Sequence, residues 1–136
     1  MKITWVHCRS YEDAKNYSRI LYLHEWDGKP FYWGKVENSF FGGNPRKRDG
    51  QQLSGRYAPC YQHWIEGCLR HGARLYVGKL DDEAMQCINE LEKFLIHRYG
   101  SEMNRRIEPF GTHIAVQHEG DVPSCILQRS ASSVSP

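Results

Sequence analysis

The chain has 136 residues, 40% of them hydrophobic and 25% charged, which indicates one compact domain with room for extensions at its ends. No apolar run approaches the roughly 18–20 residues that cross a bilayer, and residues 1–10 lack the apolar stretch of a signal peptide, so we expect a cytoplasmic protein without a membrane partner. The net charge of +2 does not by itself indicate a nucleic-acid partner.

The N-terminal part of the chain predicts a β-hairpin preceded by a short extension. Residues 2–8 have the composition of a strand, and residues 10–13 resemble a capping box that starts a short helix. Residues 19–26 and 31–36 are apolar and aromatic enough for two strands. The Asp-Gly turn in residues 27–30 joins them, which predicts a hairpin.

The middle of the chain predicts a loop followed by helices and a third strand. Residues 37–55 contain five glycines or prolines and no periodicity, so we expect a long loop that is functional or disordered. Apolar residues recur at helical spacing in residues 59–71, before Gly72. Residues 74–80 predict a strand, and a second helix begins at Asp81 or Asp82 and runs to residue 99.

The order of these elements predicts an α+β fold with a small three-stranded mixed β-sheet flanked by helices. Residues 112–117 are a candidate for an extra C-terminal strand, followed by a turn at residues 119–123. The predicted organisation is an N-terminal extension at 1–17, a main domain at 18–108, a C-terminal extension at 109–128 and a disordered tail at 129–136.

Two tripeptides and a later helix carry the chemically suggestive residues. Ile20-Leu21-Tyr22 lies in the first strand of the predicted hairpin, and Tyr32-Trp33-Gly34 lies in the second. Glu92 lies in the last helix, and Asn104 follows it by twelve residues. In this order, the residues resemble the paired tripeptides, metal-binding helix and closing asparagine of the GIY-YIG nuclease family. The resemblance spans residues 19–106, with Ile20 in place of the family's opening glycine and Trp33 in place of its central isoleucine.

The resemblance implies a metal-dependent endonuclease that hydrolyses phosphodiester bonds, with DNA favoured over RNA. Glu92 would hold one Mg²⁺ or Mn²⁺ ion, because a carboxylate is a natural ligand for these hard cations. A tyrosine would activate the attacking water: Tyr22 is the preferred base, with Tyr32 orienting the water or the phosphate, and the reverse assignment stays open. A phenol pKa near 10 requires a nearby cation, such as Lys35 or the metal shell.

An arginine would clamp the scissile phosphate, because a planar guanidinium offers paired donors to two oxygens. In the family this arginine usually precedes a histidine or tyrosine by one helical turn. Arg56, seven residues before His63, is assigned to the clamp, and Arg48 is its rival. His63 is assigned to the catalytic residues. The remaining phosphate or DNA contacts are assigned to a glycine, the basic loop residues and the closing asparagine: Gly34, Lys35, Arg46, Lys47, Arg48 and Asn104.

Two C-x-x-H pairs raise the alternative of a zinc site. Their four residues would span about 16 Å along one helix, whereas tetrahedral zinc needs all its ligands within about 2.0–2.3 Å. Zinc would therefore need ligands from elsewhere, such as His7 and Cys8. The four residues of the pairs are Cys60, His63, Cys68 and His71. The histidines without an assignment are His24, His97, His113 and His118.

The competing function is a catalytically silent nucleic-acid-binding or protein-interaction module on the same scaffold. At this length no separate recognition domain is predicted, so specificity would come from loop 37–55, residues 109–128, a homodimer or a partner chain. The five cysteines are an odd number without the spacing of a disulfide scaffold, which predicts reduced thiols.

Overall fold

The structure, a computed structural model, describes residues 1–43, 59–104 and 113–128. The described residues form five strands: β1 (Lys2–Cys8), β2 (Ile20–Trp26), β3 (Lys29–Val36), β4 (Arg74–Leu80) and β5 (Gln117–Gly120). They also form four helices: α1 (Tyr11–Ala14), α2 (Pro59–Arg70), α3 (Asp82–Gln86) and α4 (Ile88–Tyr99). A further helical turn spans residues 124–128. None of the described helices combines the length and the apolar character needed to cross a membrane.

The strands form one mixed sheet in the order β3-β2-β4-β1-β5. The α+β class is confirmed, but the prediction of a three-stranded sheet is wrong because the sheet has five strands. Strand β1 pairs antiparallel with β4 from Ile3 opposite Leu80 to Cys8 opposite Leu75, so residues expected as an extension lie inside the sheet. Strand β5 pairs parallel with β1 and begins at Gln117, where the predicted C-terminal strand was expected to end.

The predicted hairpin is confirmed, with β2 and β3 paired antiparallel along their length. Its turn residues Asp27 and Gly28 have φ angles of 54° and 72°. Positive φ at both central positions is typical of the type I′ turn, whose twist matches that of the flanking strands. Among the described strands β3 pairs with β2 alone, so it lies at the edge of the sheet that these residues form.

The predicted helix from Asp81 or Asp82 to residue 99 is interrupted at Cys87. Asp81 caps α3, with its side chain accepting a 2.9 Å hydrogen bond from the Ala84 N–H. Cys87, with φ −124° and ψ 37°, leaves the helical conformation before α4 begins. Helix α4 ends at Tyr99 and is followed by Gly100, whose φ of 87° favours glycine.

Each face of the sheet carries its own apolar core. On what we call the α4 face, residues of β1, β2, β3 and β4 pack with α3, α4 and residues 122–126. On the α2 face, residues of the same strands pack with α1, Phe41 and Ile65 of α2. The fully buried side chains divide between the two faces; Leu21, Leu23, Trp33, Leu91 and Leu95 belong to the first, and Ile20, Tyr22, Phe41, Leu75 and Val77 to the second.

The four cysteines with described side chains are free thiols, as predicted: Cys8, Cys68, Cys87 and Cys125.

Candidate functional site

Tyr22 lies directly opposite Gly34 in the β2–β3 hairpin, on the α2 face. A Cβ atom added to Gly34 would lie 2.6 Å from Tyr22 Cε1 and closer still to Cζ and the hydroxyl oxygen. The Tyr22 ring therefore lies across β3 in the space that any other residue at position 34 would fill. Gly34, assigned to a phosphate or DNA contact, thus leaves room for the Tyr22 ring in the structure.

Tyr22 and Tyr32 share the α2 face, with ring centroids 6.0 Å apart. The ring of Phe41 packs edge-on against Tyr22 at 4.9 Å. Tyr22 is fully buried, while Tyr32 is partly exposed. Of the two tyrosines, Tyr32 is thus the one that solvent reaches.

His24 is a buried residue next to both tyrosines that the sequence left without a role. Its ring centroid lies 5.8 Å from that of Tyr22 and 6.3 Å from that of Tyr32. Phe31 and Trp64 enclose its other sides at 5.6 and 5.4 Å. The side chain is 0% exposed, and among the described residues neither of its ring nitrogens has a hydrogen-bond partner.

Burial lowers the pKa of His24 to about 4, so its imidazole is neutral at physiological pH. A neutral imidazole without partners is costly in an apolar cluster, where a leucine would pack without loss. The alternation of Ile20, Tyr22 and His24 along β2 was the available signal, because side chains two residues apart share a face.

Lys35 and the tyrosines lie on opposite faces of the hairpin. Lys35 pairs with Leu21, whose side chain belongs to the α4 face. Its Nζ forms a 3.1 Å ion pair with Glu37 Oε1. The structure therefore does not bring Lys35 beside Tyr22, where a cation was expected to favour the phenolate.

Asn104 binds the open edge of β3 through its side chain. Its Oδ1 accepts a 2.8 Å hydrogen bond from the Trp33 N–H, and its Nδ2 donates a 2.9 Å bond to the Trp33 carbonyl. The Met103 N–H adds a 2.7 Å bond to the Phe31 carbonyl, and Trp33 Nε1 donates to the Gly100 carbonyl at 2.8 Å. These bonds tie the segment after α4 to the strand that carries Tyr32 and Gly34.

Glu92 is a half-buried residue of α4, the helix whose apolar side covers Leu21, Leu23 and Trp33. One carboxylate suits a Mg²⁺ ion that keeps several of its waters, so the residue type and its partial exposure fit the expected ligand. The described residues contain no group of three or more histidine, cysteine or acidic side chains able to hold a metal. Of the zinc alternative's residues, the side chain of Cys60 lies outside the described part of the chain.

The remaining predicted residues lie on α2 or outside the described part of the chain. His63 is an exposed residue of α2, the helix that packs on the face of the tyrosines. The basic residues assigned to the phosphate clamp and to DNA contacts fall in residues 44–58, outside the described ranges: Arg46, Lys47, Arg48 and Arg56.

Comparison of the chain with protein-family models, curated proteins and solved structures finds no match. The function proposed below rests on the residues and on their geometry.

Proposed function

We propose that this chain is a GIY-YIG-type endonuclease that hydrolyses phosphodiester bonds of DNA with one divalent cation. One observation carries the proposal: residues that the resemblance selects from distant parts of the sequence meet on β3. Tyr22 lies across Gly34, and Asn104 binds the backbone of Trp33, between Tyr32 and Gly34. Such an arrangement holds two tyrosine rings at fixed positions, which favours a reaction that depends on the alignment of water and phosphate.

Phosphodiester hydrolysis needs an oriented water, a clamp on the phosphate and neutralisation of the leaving oxygen. Tyr32 is partly exposed and would contact the water. Tyr22 is buried, so its expected role is to hold the Tyr32 ring in position. Glu92 would hold Mg²⁺ or Mn²⁺, which would supply positive charge to neutralise the leaving oxygen. Arg56 or its rival Arg48 would clamp the phosphate.

The position of β3 at the edge of the sheet supports a site that draws on both faces. The tyrosines project from the α2 face, while α4 with Glu92 covers the other face. A phosphate lying along an edge strand is accessible to side chains from either side of the sheet. DNA is therefore expected to approach β3 beyond Trp33, because residues 101–104 cover the edge of the strand at Phe31 and Trp33.

Nicking of supercoiled plasmid in Mg²⁺ or Mn²⁺ tests the proposal. Glu92→Gln should abolish nicking while DNA binding persists, because the amide removes the charge that holds the cation. Glu90→Gln, at an exposed position of the same helix, is the matched control and should cut like wild type. If wild-type protein binds plasmid but never nicks it in either metal, the chain is not a nuclease.

The tyrosine roles can be separated by single hydroxyl deletions. Tyr32→Phe should lower the nicking rate by about 100-fold or more, as expected for loss of a group that positions or deprotonates the water. Tyr22→Phe keeps the ring over Gly34 and should lower the rate less if Tyr32 contacts the water. The opposite order of effects would return the base role to Tyr22.

A catalytically silent binding module on the same scaffold is the second candidate. The full burial of Tyr22 and the placement of Lys35 on the opposite face favour it, because neither is arranged to generate a phenolate. This candidate predicts binding of nucleic acid or protein without cleavage, and identical binding by wild type and Glu92→Gln with or without metal.

A further inference from the structure

A cavity of about 450 Å³ opens at the turn end of the hairpin, outside the set of residues assigned to catalysis. Three aromatic rings form its walls: Trp26 at the end of β2, Phe31 on β3 and Trp64 on α2. The Phe31 centroid lies 5.8 Å from that of Trp26 and 6.1 Å from that of Trp64. We call this cavity the tryptophan cleft.

The two tryptophans are unusually exposed for side chains of their size. Trp26 is 39% exposed and Trp64 is 42% exposed, although the chain buries Trp5 and Trp33 almost completely. Large aromatic side chains that are partly exposed in a concave site are typical of binding surfaces. The cleft therefore has the character of a site for a flat, apolar-faced group.

The rim of the cleft is charged. Asp27 and Glu102 contribute carboxylates, and Lys29 contributes an ammonium group. Carboxylates repel phosphate, but they accept hydrogen bonds from the amino and ring N–H groups of a nucleobase. The combination of aromatic walls with hydrogen-bond acceptors at the rim thus fits a base rather than a phosphate. Lys29 would then contact the DNA phosphate next to that base.

The cleft and the candidate catalytic site belong to one aromatic cluster. His24 contacts Phe31 and Trp64 on one side and Tyr22 and Tyr32 on the other, all at centroid distances between 5.4 and 6.3 Å. Phe31 also directly precedes Tyr32 in β3. A base held in the cleft would therefore be separated from the two tyrosines by the ring of His24.

We propose that the tryptophan cleft binds an unpaired nucleobase of the DNA substrate, stacked on Trp26 and Trp64. The proposal rests on the proposed function for the presence of DNA and goes beyond it by defining the substrate class. Bases within a duplex have their faces stacked and their pairing edges occupied, so only an unpaired base can enter. The chain accordingly prefers DNA with single-stranded nucleotides beside the cut, and it cuts continuous duplex, such as a plasmid, more slowly.

Binding measurements with abasic DNA test the cleft without any mutation. Fluorescence anisotropy would compare three labelled DNAs: a duplex with a three-nucleotide single-stranded end, the same DNA with abasic sites in that end, and a blunt duplex. The first two carry equal charge. Wild type should bind the base-bearing end about 10-fold more tightly than the abasic end, since stacking contributes about 1–3 kcal/mol per base. Equal affinities for these two DNAs would overturn the proposal while leaving the nuclease function intact.

Variants then assign the preference to the cleft. Trp64→Leu and Trp26→Leu, made separately, should each reduce the ratio of base-bearing to abasic affinity several-fold and leave blunt-duplex affinity unchanged. Leu127→Ala, another exposed large hydrophobic residue that does not line the cleft, is the matched control. A preference for base-bearing DNA that survives in both tryptophan variants would place the stacking elsewhere and overturn the proposal.

The same assay distinguishes failure of the cleft from failure of the proposed function. A wild-type protein that binds none of the three DNAs and nicks no plasmid would remove the nuclease and the cleft proposals together. If short aromatic peptides bound such a protein, and Trp26→Leu or Trp64→Leu abolished that binding, the occupant would be a protein segment instead of a base.

Discussion

Gly34 determines where the Tyr22 ring can lie. A methyl group at this position would meet Tyr22 Cε1 at 2.6 Å, and both residues belong to paired strands whose backbones cannot move apart easily. Gly34→Ala should therefore displace the Tyr22 ring and lower the free energy of unfolding by about 1–3 kcal/mol, the usual cost of overpacking. Urea denaturation measures the loss, and the plasmid assay should show nicking reduced with it.

Gly67→Ala is the matched control for this substitution. A Cβ atom at Gly67, within α2, would have no neighbour within 4 Å. Because alanine favours helix over glycine by about 1 kcal/mol, this variant should be as stable as wild type or more so. If Gly34→Ala matched Gly67→Ala in stability, the position assigned to the Tyr22 ring would be incorrect.

His24 should make the folded protein less stable as pH falls. Its folded-state pKa of about 4 lies below the ordinary value of 6.5, so the unfolded chain binds the proton first as pH falls. The free energy of unfolding is therefore highest above about pH 6.5, as far as His24 contributes to it, and it decreases as pH falls toward 4. The loss is at most roughly 3.5 kcal/mol, from a pKa difference of about 2.5 at about 1.4 kcal/mol for each pH unit.

His24→Leu should remove this sensitivity and stabilise the fold. At pH 7 the variant should gain about 1 kcal/mol or more, because leucine leaves no buried nitrogen without a partner. The gain should grow as pH falls, as measured by urea denaturation between pH 7 and pH 4.5. His118, whose pKa burial also lowers to about 4, would keep its own contribution. His97→Leu, at an exposed position of α4, is the control; an equal response from it would contradict the assignment to His24.

At the scale of elements, Asn104 takes the place of a neighbouring strand along part of β3. Its two bonds to Trp33 satisfy an N–H and a carbonyl that an edge strand otherwise leaves open. Asn104→Ala should lower the free energy of unfolding by about 1–2 kcal/mol and accelerate hydrogen exchange at the Trp33 amide. Asn89→Ala, on the exposed side of α4, should change neither quantity. Unchanged exchange at Trp33 in the Asn104 variant would show that the side-chain bonds do not persist in solution.

Elements with a local signal were predictable from the sequence. The Asp27-Gly28 turn and its flanking apolar runs predicted the hairpin, because the turn type follows from two adjacent residues. The break at Cys87 has no glycine or proline to announce it, so the pattern predicted one continuous helix there. The pairing of Tyr22 with Gly34 follows from the hairpin register, but the full burial of Tyr22 depends on Phe41 and on packing that no periodicity reveals.

At the scale of the whole molecule, the number of strands depended on contacts between distant segments. Strand β1 pairs with β4 across more than 60 residues of sequence, and β5 pairs with β1 across more than 110. The composition of residues 2–8 predicted a strand, but a strand pattern alone does not identify its partner. The same holds for the candidate site. The tyrosines and Asn104 could be named from the sequence, whereas the position of Lys35 on the opposite face became clear only from the strand pairing in the sheet.

Glu25 connects the end of β2 to the C-terminal helical turn, a contact that the sequence did not predict. It is 2% exposed at the end of β2, where its carboxylate accepts a 2.8 Å bond from Ser124 Oγ and a 3.1 Å bond from the Cys125 N–H. These bonds hold the helical turn at residues 124–128, whose Cys125 and Ile126 complete the core on the α4 face. A single strand-end carboxylate thus positions the C-terminal segment against the sheet.

Glu25→Ala should lower the free energy of unfolding by about 3 kcal/mol, since bonds to charged groups contribute about 1.5–3 kcal/mol each and the packing of Ile126 weakens with them. Limited proteolysis should cut near residues 121–128 sooner than in wild type, because release of the turn exposes its backbone. Ser124→Ala removes one of the two bonds and should have a smaller effect of the same kind. Glu119→Ala, whose carboxylate forms a 3.6 Å ion pair with Lys2 at the surface, should have almost none. If Glu25→Ala and Glu119→Ala were cleaved at the same rate, the buried carboxylate would not be what holds the C-terminal turn on the sheet.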